Sequence, residues 1–127
     1  DFERALELYH LSAKHEHAGA FYALGIFYLH GLGMEQANAE TAIVWLKRAA
    51  DKNVAKAHHL LGKYYLAGGE AGMMMIAQDI EKAKVCFETA VEQGFAPALH
   101  TLALLYFHGA GSIVPQDLPK AVEYLTR

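Results

Sequence analysis

Several residue groups in this chain are of types that could do chemistry. There are eight histidines in 127 residues, and one cysteine. A metal site needs three or four converging ligands, with neutral imidazole the commonest protein donor. His58 and His59 are adjacent, so on a helix they diverge by about 100°. Neither an HExxH nor a CxxC spacing occurs around His10, His15, His17, His30, His58, His59, His100 or His108, so no metal and no cofactor is expected. Cys86 would be a nucleophile only beside a base and an oxyanion site. Glu3/Glu7 and Glu88/Glu92 are four apart, the spacing of a solvated helix face rather than of an acid–base pair. "LGIFYLHGLG" (24–33) sets Gly31 and Gly33 two apart after an aromatic run, like half a phosphate loop. No strand precedes it and no Gly-Lys-Ser/Thr follows. Glycines recur at the same place as Gly68–Gly69 and Gly109–Gly111, so helix termination is the better reading. No catalytic constellation emerges, and the chain is not expected to be an enzyme.

The elements that position these residues are set by an internal repeat. "AFYALGIFYLHG" (20–31), "AHHLLGKYYLAG" (57–68) and "ALHTLALLYFHG" (98–109) align without gaps. A second set aligns as well: "ALELYHLSAKHEHAGA" (5–20), "AIVWLKRAADKNVAKA" (42–57), "AKVCFETAVEQGFAPA" (83–98) and "AVEYLTR" (121–127). Ala5 to Ala20, Ala42 to Ala57 and Ala83 to Ala98 are each separated by 15 residues, and all the length variation falls after Gly31, Gly68 and Gly109. Apolar residues recur at helical spacing in both sets. Each glycine is expected to end a first helix in a left-handed conformation, and Asn38, Asp79 and Asp117 to cap a second helix. Lengths are fixed within helices because packing depends on phase, and vary in the solvated turn.

Composition agrees with such a stack. Apolar residues make up 54%, enough for a core, and the net charge of −3 gives no basic stripe, so nucleic acid is not an expected partner. No run is long and apolar enough to predict membrane insertion. A single cysteine excludes an intrachain disulfide and is compatible with a reducing compartment, without fixing a localisation. The chain opens at Asp1 and closes within a helical pattern, which reads as an excerpt of a longer protein with frayed ends.

These units resemble the Sel-one-like repeat family, relatives of tetratricopeptide repeats with longer loops. The resemblance rests on Ala20, Leu24, Gly25, Tyr28, Gly31, Gly33, Ala42, Trp45, Ala49 and Ala50 in one unit. Ala57, Leu61, Gly62, Tyr65, Gly68, Asp79, Lys82, Ala83, Phe87, Ala90 and Gly94 carry it in the next, and Ala98, Leu102, Tyr106, Gly109, Gly111, Asp117, Lys120 and Ala121 in the third. Departures are Ala103 for Gly, Asn38 for Asp, Asn53 for Gly and Cys86 for Trp, the last leaving a smaller plug between helices. The cysteine pair of some secreted members is missing. The implied fold is all-α: a right-handed α-solenoid of antiparallel helix hairpins, about three repeats with partial terminal helices. Residues 1–19 form the second helix of a preceding repeat, followed by repeats at 20–56, 57–97 and 98–127. Gly25, Gly62 and Ala103 then let the paired helices approach, facing Ala42/Ala49 and Ala83/Ala90, with Trp45, Leu46, Phe87, Tyr124 and Leu125 as plugs.

In such stacks the first helices line the concave side. The resemblance implies that Tyr22, Ile26, Leu29 and His30, then His59, Lys63, Leu66 and Ala67, then His100, Leu104, Phe107 and His108 face that groove. Segments 20–30, 57–67 and 98–108 hold no acid and one fixed charge, Lys63, with eight of the 14 aromatics. A groove of this kind suits a protein or peptide partner with apolar or aromatic side chains, and lacks the cations of a carboxylate clamp. The expected function is a protein–protein interaction module, an adaptor or scaffold; the alternative is a structural spacer in a larger protein. Exposed stack ends also leave a homo-oligomer open. "MMMIA" (73–77) reads either as a turn folded back on the hairpin or as an adaptable partner contact.

Overall fold

The computed structural model describes residues 1–67, 79–109 and 114–127. Gly68, the Met73–Met75 turn and Gly111 lie outside the described residues. Those described form seven helices: α1 (Phe2–Lys14), α2 (Ala18–His30), α3 (Ala39–Asp51), α4 (Ala55–Ala67), α5 (Ile80–Glu92), α6 (Ala96–His108) and α7 (Leu118–Thr126). α2 packs on α3, α4 on α5 and α6 on α7, while α1 meets α2, α3 meets α4 and α5 meets α6. Each helix thus touches its predecessor and successor, giving an all-α helical repeat stack.

The second helices start where the short polar residues are. Asn38 Oδ1 accepts from the Thr41 amide, Asp79 Oδ1 from Lys82 and Asp117 Oδ1 from Lys120, at 3.0 to 3.1 Å. The amides of these three caps donate to the carbonyls of Tyr28, Tyr65 and Tyr106, each at 2.8 Å. One hydrogen bond therefore closes all three hairpins, whatever the length of the turn between. The first helices begin two residues earlier than the aligned segments. Their N-caps at His17 and Phe95 make no side-chain bond, so no capping residue marks those starts in the sequence.

The core is a ridge of small residues under larger plugs. Ala42, Ala49, Ala83 and Ala90 are fully buried, with Leu24, Leu46, Phe87 and Leu102 packed among them. Close approach needs glycine: a Cβ on Gly25 would sit 2.7 Å from Leu46 Cδ2, and one on Gly62 2.6 Å from Phe87 Cε1. Two expected plugs differ. Trp45 is half-buried, one position from the central Leu46. Leu125, in register with Leu46 and Phe87, is 60% exposed because no described helix packs beyond α7.

The glycine stops also differ. Gly31 ends α2 in the left-handed helical region (φ 70°, ψ 29°), as expected. Gly109 ends α6 at φ 72°, ψ 166°, still positive in φ but extended, and a Cβ there would sit 2.9 Å from Gln116 N and 3.2 Å from Val114 O. Between hairpins the left-handed position falls on Glu16, Asn53 and Gly94, which are in register.

Candidate partner-binding groove

α2, α4 and α6 carry the residues expected to face a partner. Two observations tie these helices together side by side. His59 Nε2 on α4 shares a 2.8 Å hydrogen bond with Thr101 Oγ1 on α6. Tyr22 on α2 lies near enough to Tyr64 on α4 for its charge to push the Tyr64 hydroxyl up, on top of the larger effect of burial. Burial also raises Tyr22.

The expected residues differ in how much they offer a ligand. Tyr22, Ile26 and Leu29 are half-buried, and Tyr22 and Leu29 pack onto the first core cluster. Leu66 is half-buried against the second. His30, Lys63 and His100 are exposed. Leu104 and Phe107 are exposed at 46% and 50%, and His108 stands edge-on to Phe107 at 5.0 Å. The sequence register is the same in all three helices; what changes is the neighbour, since α6 has no further first helix against it among the described residues.

His59 stands apart from this set. It is 8% exposed, wedged between the rings of Phe87 (5.8 Å) and Phe95 (5.2 Å) and bonded to Thr101. Burial, helped by the positive charge of Lys63, lowers its pKa, so the neutral ring is favoured. Its place is therefore in the joint between repeats rather than on an open face. His100, in register with Tyr22 and His59, remains on the surface. Sequence reasoning passed over Tyr64 and Thr101, whose contacts become visible only once two helices are set side by side.

Among the described residues no three His, Cys, Asp or Glu side chains gather where an ion could sit. Burial raises the Cys86 thiol, outweighing the opposing pull of Lys82, so it stays protonated. No helix among the described residues is long and apolar enough to cross a membrane.

The hairpin pattern, its glycine crossings and its caps are those of a known repeat. The sequence pattern of the Sel1 repeat matches at residues 1–17, 20–54, 55–95 and 96–127. The chain belongs to the Sel1 repeat family. A crystal structure of a Sel1 repeat protein from Oxalobacter formigenes superposes with a TM-score of 0.89 over 99% of this chain and 48% of that one, at 27% identity. A protective antigen of uropathogenic Escherichia coli with the same fold gives 0.83 over 95% of this chain and 24% of that one, also at 27% identity. Among curated relatives, chitin synthase regulatory factor 3 of Schizosaccharomyces pombe is 32% identical over 109 residues, 86% of this chain. Chitin synthase regulator SKT5 of Malassezia restricta is 32% identical over 91 residues, 71% of this chain. The chain spans 11% and 6% of the length of these two relatives. Sel1 repeats generally serve as protein-interaction modules, and these two relatives are named as regulators.

Proposed function

We propose that this Sel1 repeat chain is a non-catalytic adaptor that holds an apolar or aromatic segment of a partner protein along α2, α4 and α6. The observation that carries the reading is the state of α6. Leu104 and Phe107 project half their surface into solvent, flanked by the exposed His100 and His108, on a face without acidic residues. Large exposed apolar side chains grouped on one face mark an interaction surface, and aromatic anchors commonly dominate such contacts. Relatives named as chitin synthase regulators favour a regulatory rather than an enzymatic setting for the adaptor. The contact residues we assign are Tyr22, Ile26, Leu29, His30, Lys63, Leu66, His100, Leu104, Phe107 and His108, with His59 acting beneath them.

The spacer reading draws on a different observation, the packing of Tyr22, Leu29 and Leu66 into the two core clusters. Peptide display against the wild-type chain and a Leu104→Asp/Phe107→Asp variant separates the two. Both sites are exposed, so the variant should keep its far-UV circular dichroism. The adaptor reading expects apolar, aromatic-rich peptides that bind the wild type and lose at least tenfold affinity on the variant. Peptides that bind both equally would refute it.

A further inference from the structure

The repeat symmetry breaks at one place, beside α5. In the first hairpin Trp45 stands between α1 and α3. Its indole stacks on Phe21 at 5.8 Å and 27°, meets the edge of His10 at 5.8 Å, and is covered by the Arg48 guanidinium at 4.8 Å. In the last hairpin Tyr124 holds the same register and stacks on Tyr106 at 5.7 Å and 12°. In the middle hairpin the register partners are Cys86 for Trp45, His58 for Phe21, Lys47 for His10 and Thr89 for Arg48. A thiol thus stands where its two neighbours carry rings, and the covering guanidinium is gone as well.

The surrounding side chains have not closed the gap. An open recess of about 570 Å³ lies between α3, α4 and α5, lined by His58, Leu61, Tyr65, Val85 and Cys86 among others. The corresponding recess beside Trp45 and Arg48 measures about 320 Å³. His58 Nε2 is buried with no hydrogen-bond partner among the described residues. The mouth carries Lys47 and Lys82 against Asp51, Asp79 and Glu81, a slight excess of negative charge, with Asp79 Oδ1 also accepting from the Lys82 amide. A mixed rim with a slight acidic excess gives no advantage to a phosphate or carboxylate and suits an uncharged group attached to a polar main chain.

We propose that this recess is an anchor pocket for one aromatic side chain, tryptophan or tyrosine, delivered by a partner polypeptide and seated as Trp45 is seated in the preceding hairpin. The incoming ring lies against His58 as Trp45 lies against Phe21. The main chain that carries it meets the charged groups at the rim. Rigid aromatic anchors in desolvated pockets contribute much of the energy at protein interfaces. The pocket shares no residue with the groove on α2, α4 and α6, so it stands or falls separately from the adaptor reading.

Cys86 is the sole cysteine of the chain, so thiol labelling reports on this pocket alone. N-acetyl-tryptophanamide is the probe, with N-acetyl-leucinamide and free indole as comparisons. At roughly nine times its Kd the probe should slow Cys86 labelling about tenfold, the factor 1 + [L]/Kd of one-site competition. Amide resonances around His58 and Cys86 should shift saturably, and N-acetyl-leucinamide should leave both measurements unchanged. Cys86→Trp should fill the pocket and lose the shifts, whereas Cys86→Ala should keep them; the alanine variant carries the test should the tryptophan variant fail to fold. Equal effects of the leucine probe, no saturable shift, or shifts that survive in a folded Cys86→Trp protein would overturn the pocket. Free indole binding as tightly as N-acetyl-tryptophanamide would overturn the polypeptide origin of the occupant.

Discussion

Gly62→Ala tests whether close helix crossing holds the middle hairpin together. The new Cβ would lie 2.6 Å from Phe87 Cε1, 2.9 Å from Phe87 Cδ1 and 3.1 Å from Cys86 Cβ. Carbon atoms in favourable contact are about 3.5–4.0 Å apart, so the ring has to retreat by roughly 1 Å. Phe87 is fully buried and its ring is rigid, which leaves no inexpensive retreat. Overpacking of this kind costs about 1–3 kcal/mol. Alanine offsets about 1 kcal/mol of that through its higher helix propensity. The net expectation is a loss of about 1 kcal/mol, reaching about 2. At Gly25 the opposing atoms are Leu46 Cδ2 and Cγ, both at 2.7 Å. Leu46 is fully buried as well, but its methyls can turn aside more readily than a rigid ring, so Gly25→Ala should cost less than Gly62→Ala. Urea denaturation followed by far-UV circular dichroism measures both, and a 1 kcal/mol loss moves the midpoint down by about 0.3–1 M for ordinary m-values. A Phe87→Leu change in the Gly62→Ala background should recover part of the loss, since neighbours in contact couple. The reasoning fails if Gly62→Ala is as stable as wild type, or if Gly25→Ala is the more damaging of the two.

Three further outcomes follow from the same geometry. Glu16 holds φ at 60°, a conformation costing an L-residue about 1–2 kcal/mol. Glycine gives back part of that through its greater unfolded-state freedom, about 0.5–1 kcal/mol. Glu16→Gly should therefore raise the denaturation midpoint by the equivalent of roughly 0.5–1 kcal/mol, since its 3.9 Å pair with Lys52 is exposed on both sides and adds little. Asp79→Ala removes the acceptor of the Lys82 amide and should cost about 1 kcal/mol in the same assay, whereas Asp79→Asn should cost little because Asn38 performs the same task. His59 has a lowered pKa in the folded state, so the unfolded chain binds the proton more readily. Its contribution to stability is complete above the unfolded value near 6.5 and is lost as pH falls below it. Urea midpoints measured between pH 7.5 and 5 should decline more steeply for wild type than for His59→Asn; parallel profiles would remove His59 as a source of acid sensitivity.

The sequence alone determined the unit of this protein. Fixed spacing between Ala20, Leu24, Gly25, Tyr28 and Gly31, repeated twice more, encodes helix phase, because one residue inserted inside a helix would rotate every later side chain out of the crossing. Asn38, Asp79 and Asp117 were legible for the same reason: capping is local chemistry between a side chain and an amide three residues on. The starts of α2 and α6 were not legible, since neither begins with a capping side chain. The candidate groove was legible as a register and not as a surface. Ile26 and Leu104 share one position and His59 and His100 another, yet one of each pair is more buried, because burial belongs to whichever helix lies alongside. Only the tertiary structure could place His59 against Thr101, 42 residues away, and leave Leu125 in solvent where Leu46 is buried. The same holds for Cys86. Its difference from Trp45 is plain in the sequence, but whether neighbours collapse into the vacated space depends on packing from three helices at once. Here they do not, and an open recess remains.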